Sequence, residues 1–141
     1  MEEIAQSDFY RGFCIADLDV DGKVRTETTR LPDCSCNAKR FSEPEDVRLR
    51  VGGRPTDGCY AMTTADIRFE NFATPVHDPI CEERPENYSH CELRCVPNGA
   101  AVDEEPPRNQ PKAKNKTARA RRLAWRTNLG KRLQIVLAAE A

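Results

Sequence analysis

The stretch Asp17–Val24, DLDVDGKV, constrains the fold more than any other segment, because a single hairpin register satisfies both of its flanks at once. Take Val20, Asp21 and Gly22 as a three-residue loop, with Gly22 in the left-handed position of a bulged type I turn. Asp19 then faces Lys23 and Asp17 faces Arg25, while on the other face Leu18 meets Val24 and Ala16 meets Thr26. Opposite charges and apolar side chains both find their partners, which is the arrangement that stabilises neighbouring strands. The segment predicts antiparallel β-structure.

The same residues spell part of a calcium loop, with Asp17, Asp19 and Asp21 at the first, third and fifth positions and Gly22 at the sixth. The bidentate glutamate required at the twelfth position is missing: Thr28 stands there, with Glu27 one residue early. The preceding FYRGFCIA also lacks the polar face of a helix that would lead into such a loop. The hairpin is the better reading.

Alternation recurs downstream. In DVRLRV the apolar Val47, Leu49 and Val51 alternate with arginines, CYAMTT follows the VGGRPTDG turn, and in DIRFENF Ile67 and Phe69 flank Arg68. Ten prolines and seven glycines break the chain too often for long helices over most of its length. From Pro75 to Pro97 the chain reads as an irregular loop carrying Cys81, Cys91 and Cys95. The expected fold is mainly β: a small antiparallel sheet domain, sandwich-like or barrel-like, with irregular Cys-rich loops and an extended C-terminal arm containing one short helix.

Charge divides the 141 residues unevenly. Residues 1–107 carry 22 acidic and 12 basic side chains, whereas 108–141 carry 10 basic and one acidic, so a net charge of −1 conceals an acidic body and a basic tail. Three regions are expected: an acidic Cys-rich β-domain over 1–98, a Pro/Lys-rich extended linker over 99–116 and a basic arm over 117–141. In the arm, Thr117 is a plausible N-cap and Gly130 a left-handed helix end, after which Leu133, Ile135 and Leu137 alternate as a strand or continue as helix. Arg119, Arg121, Arg122, Trp125, Arg126, Leu129, Lys131, Arg132, Leu133, Ile135 and Leu137 are the candidate partner-binding residues. No apolar run approaches the roughly 20 residues of a membrane span, and the acidic start MEEIAQSDFY is unlike a signal peptide.

Seven cysteines are the strongest chemical signal. Cys34, Cys36, Cys59, Cys81, Cys91 and Cys95 are candidates for disulfides, which would staple a core this small. Cys14, inside an expected strand, reads as an inert buried thiol. The alternative is a zinc site drawn from Cys34, Cys36, Cys91, Cys95 and His90, although CSC and CELRC depart from the two-residue gap that wraps paired sulfurs around zinc. A thiol dyad of His90 with Cys91 is the weakest of the candidates, because sequence neighbours seldom point at each other.

Disulfides without an export signal suit a particle component that assembles in the cytosol and later sits outside the cell. The expectation is therefore a non-enzymatic structural protein with no cofactor: a disulfide-stabilised accessory subunit of a large particle such as a virion (head, neck or tail), present in several copies and clamping neighbouring protein subunits through its C-terminal arm. The alternative is a zinc-stabilised nucleic-acid-binding module whose basic tail neutralises phosphates while Trp125 stacks on bases. No membrane partner is expected.

Overall fold

Phe9, Phe13, Tyr60 and Met62 project from one face of two adjoining strands, and the rest of the fold is arranged to bury that strip. The computed structural model describes residues 2–3, 8–28, 34–50, 52–78, 87–94 and 116–141. Its strands are β1 (Glu2–Glu3), β2 (Asp8–Phe13), β3 (Ser35–Ala38), β4 (Gly58–Thr63), β5 (Thr74–His77), β6 (His90–Arg94) and β7 (Gln134–Leu137). They form one antiparallel sheet in the order β1-β5-β6-β3-β2-β4-β7, with β2 and β4 paired from Asp8↔Thr63 to Phe13↔Gly58. The sheet is open and single, so the sandwich or barrel expectation is corrected: the domain is mixed α/β, with β1 a two-residue stub at one edge and β7 at the other.

Residues directly opposite in a ladder share a face, and alternate residues of a strand swap faces. Phe9, Phe13, Cys34, Cys36, Ala38, Tyr60, Met62, Cys91 and Leu93 therefore lie together in the main apolar cluster. Helix α1 (Thr64–Ile67) and helix α2 (Lys116–Arg132) cover this face. From α2, Trp125 and Leu129 lie one turn apart and are 1 % and 0 % exposed, and Trp125 Nε1–H donates to the Ile67 carbonyl oxygen at 2.7 Å. Burial of such side chains contributes about 1.5–3 kcal/mol each. The opposite face holds a smaller cluster of Tyr10, Val47, Cys59 and Ala61, against which Leu137 packs.

The C-terminal segment is thus part of the domain and does not reach away from it: α2 packs over the sheet and β7 pairs with β4. That settles the choice for the last segment in favour of a strand. Gly130 does not end the helix. It lies within α2, where a Cβ would collide with the Thr26 side chain. Of the expected linker, only Lys116 lies among the described residues, where it begins α2.

The tip of the hairpin forms in the expected register, but its flanks are 3-10 turns (Ile15–Asp17 and Thr26–Thr28) in place of the expected strands, so Ala16 and Thr26 do not pair as strand residues. Leu18 and Val24 bridge, Asp19 N–H donates to the Lys23 carbonyl at 2.8 Å, Arg25 N–H donates to the Asp17 carbonyl at 2.8 Å, and Gly22 has φ +77°. Two other segments differ from expectation. Pro44–Arg48 is a 3-10 helix, started by Pro44 and by Asp46 accepting from the Glu43 N–H at 2.9 Å. Thr64–Ile67 and Phe69–Asn71 are helical, with Thr63 capping α1 through the Asp66 N–H at 3.2 Å. The stretch after Pro75, expected to be irregular, supplies β5 and β6.

Candidate functional site

His90 and Glu92 are two apart on β6 and so project from the same face of the sheet. Asp78 lies opposite His90 at the end of β5, where its N–H donates to the His90 carbonyl at 2.9 Å. One ligand atom from each of Asp78, His90 and Glu92 falls within 4.8 Å of the others, the sole group of three or more His, Cys, Asp or Glu side chains to do so among the described residues. His90 is 8 % exposed and Glu92 5 %. His90 Nδ1 is 2.6 Å from the Asp78 carbonyl oxygen, which can only accept, so Nδ1 carries a proton, and in the neutral ring Nε2 holds the lone pair. Beside them Asn37, the cross-strand partner of His90, accepts from Asn87 Nδ2 at 2.8 Å, and Ser89 Oγ donates to Asn87 Oδ1 at 2.6 Å. One imidazole and two carboxylates are donors that suit a divalent transition ion.

Cys34, Cys36 and Cys91 occupy the other face, whereas Cys59 lies in the smaller cluster on the His90 face. Because neighbours on a strand point in opposite directions, His90 and Cys91 lie on opposite sides of the sheet and cannot act as a dyad. Cys91 Sγ donates instead to the Ser89 carbonyl at 3.5 Å. The zinc set is likewise divided: Cys34, Cys36 and Cys91 lie in the apolar cluster, His90 lies on the far face, and Cys95 is outside the described residues. No disulfide joins one described cysteine to another, and the candidates Cys81 and Cys95 lie outside the described residues. Cys14 caps a short 3-10 turn just after β2 and is half-buried.

Burial governs the chemistry of these thiols. It pushes Cys59 and Cys91 up to about 12 and Cys36 well above its ordinary value, with the neighbouring Cys91 and Cys34 adding to the rise at Cys36. Arg11, on the same face, works in the other direction but does not outweigh desolvation. Its guanidinium is held by the Thr28 carbonyl at 3.1 Å and the Ser35 carbonyl at 2.5 Å.

The candidate partner-binding residues separate into two groups. Trp125 and Leu129 are core residues and unavailable to another molecule. Arg121, Lys131, Arg132 and Ile135 are exposed, and Arg122, Arg126, Leu133 and Leu137 are partly buried, while Arg119 lies in α2. Arg121 sits over the Phe72 ring at 5.5 Å and Arg132 pairs with Asp66 at 3.4 Å. A pocket of about 260 Å³ lies elsewhere, lined by Phe41, Asp46, Leu49, Arg50, Asn87, Tyr88 and Ser89. Its arginine is engaged by Asp57 at 3.4 Å.

Sequence reasoning found His90 but missed Asp78 and Glu92. The signal was the His-Cys-Glu spacing, which places the first and third residues on one face once the segment is a strand. No family model, curated protein or solved structure matches this chain.

Proposed function

We propose that the protein is a non-enzymatic assembly subunit that pairs with a second copy of itself along the open edge of β7. The observation that carries this reading is the state of that edge. Among the described residues β7 ends the sheet order, and within Gln134–Leu137 there is no proline or charge to blunt it, while Ile135 and Val136 are each 41 % exposed. An edge of this kind is a template for a further strand, and natural sheets normally protect it. The flanks fit a copy running antiparallel, since Lys131 and Arg132 precede the strand and Glu140 follows it. Pairing the two strands about Val136 brings each Glu140 to the cations of its neighbour, which adds a register-setting attraction.

Thiol chemistry supports the non-enzymatic part. A nucleophilic cysteine needs a depressed pKa and an adjacent base, whereas burial holds Cys36, Cys59 and Cys91 as neutral thiols at physiological pH. The virion expectation leaned on disulfides, and the described thiols lend it no such support. What is proposed is accordingly narrower than a particle component. The nucleic-acid reading keeps the exposed cations of α2 but loses Trp125 as a stacking platform.

Sedimentation equilibrium tests the proposal. The wild-type mass should rise from monomer to dimer with concentration, and Ile135→Lys with Val136→Lys should hold the chain monomeric while its circular dichroism stays unchanged. A wild type that remains monomeric throughout, or a double variant that dimerises as before, overturns it.

A further inference from the structure

We infer that Asp78, His90 and Glu92 form a binding site for one divalent transition ion, of which Zn²⁺ is the probe, clasping β5 to β6. The inference goes beyond the β7 edge and is independent of it. Three observations converge. The three ligand atoms gather within 4.8 Å of one another, so small side-chain rotations bring them to the roughly 3.5 Å ligand-to-ligand separation of a tetrahedral ion. Nδ1–H of His90 donates to a backbone carbonyl, the outer contact that fixes tautomer and ring orientation in metal-binding histidines. Finally, His90 and Glu92 are both more than nine-tenths buried and project from one face of β6, so their side chains are held close to the positions a shared ion would need.

Electrostatics point the same way. Two carboxylates held this close repel each other, and a doubly charged cation between them turns that repulsion into attraction. The donor set chooses among cations. Calcium requires six to eight oxygens and magnesium an octahedron of oxygens, so an imidazole with only two carboxylates favours neither. Zinc, manganese or ferrous iron accepts nitrogen with oxygen, and three protein ligands leave one position for water. Cys34, Cys36 and Cys91, which would select a softer ion, lie on the other side of the sheet.

The test uses the full chain, stripped with chelator and titrated with Zn²⁺ by calorimetry, with bound metal counted by mass spectrometry. One ion per chain and a rise in Tm are expected. His90→Gln and Glu92→Gln should each weaken binding by at least about 100-fold, the upper end of what loss of even an outer-shell partner costs. Cys36→Ser should bind as the wild type does, and a Co²⁺ complex should lack thiolate-to-metal charge-transfer absorption. Absence of saturable binding to the wild type overturns the inference, whatever the variants do. So does affinity unchanged in Glu92→Gln, or a cobalt spectrum carrying the thiolate band.

Discussion

Cys36 lies directly across the β3–β6 ladder from Cys91, and its thiol donates to the Cys91 carbonyl oxygen at 3.7 Å. Both side chains serve as small apolar residues with weak internal hydrogen bonds, within a cluster that includes Leu93 and Trp125. The thiol layer is a packing device.

Alkaline pH should expose that role. In the folded state Cys59 and Cys91 are raised from an ordinary value of 9.0 to about 12, and Cys36 moves the same way. Between those limits the unfolded chain has lost protons that the folded chain retains, so stability falls as pH rises. The contribution is complete below pH 9 and lost on passing through about 12. Urea midpoints measured across this range should decline, and Cys91→Ala should lower the midpoint at neutral pH yet flatten the decline.

The sole tryptophan reports on whether the C-terminal segment belongs to the core. Trp125→Ala should cost about 3–5 kcal/mol, as large core truncations do. Trp125→Phe keeps much of the ring volume but leaves the buried Ile67 carbonyl without its donor, at a cost of about 1–3 kcal/mol. Chemical denaturation followed by circular dichroism measures both. Stability unchanged in Trp125→Ala would mean that α2 does not pack on this sheet.

Gly130 makes an unusual prediction for a helix. Alanine within a helix normally gains about 0.5–1 kcal/mol over glycine, but here its Cβ would meet the Thr26 methyl group. Overpacking of about 1–3 kcal/mol should win, so Gly130→Ala destabilises. Adding Thr26→Ser removes that methyl and should restore stability to the glycine level or above. The double-mutant cycle in urea separates the two effects.

The aspartates of the hairpin should ignore calcium. Asp19 Oδ1 accepts from the Asp21 N–H at 2.8 Å and the Lys23 N–H at 3.0 Å, and Asp17 Oδ2 accepts from the Cys14 N–H at 2.9 Å. Asp19→Ala should therefore cost about 1 kcal/mol, whereas Asp21→Ala stays within about 0.5 kcal/mol of wild type. Added calcium should leave the melting temperature unmoved; a calcium-dependent rise would restore the loop reading.

Local signals were legible in the sequence and tertiary ones were not. The Asp17–Arg25 hairpin could be read because its register depends on residues a few positions apart, whereas β7 was half legible: Leu133 and Ile135 alternate with Arg132 and Gln134, but the apolar run Ile135-Val136-Leu137 fits a continued helix equally well. The strand β2 went unread although it is central, since Arg11 interrupts its apolar face and the faces of a doubly covered strand lose clean alternation. Val47 and Leu49 mimicked a strand, but Pro44 followed by Glu45 and Asp46 is a helix start that outweighs two alternating residues. Helix α2 lacked a broad apolar face because it buries a narrow stripe, Trp125 and Leu129. For the metal-binding constellation, Asp78 reaches His90 through strand pairing alone, a contact no local pattern encodes.

Amide hydrogen exchange across β7, followed as a function of protein concentration, tests the assembly account most directly. Strand addition predicts that amides of Gln134–Leu137 on the side away from β4 slow as concentration rises, while those of β1 at the opposite edge do not change. Exchange at β7 that stays constant while the sedimenting mass increases would contradict it, because association would then be using another surface.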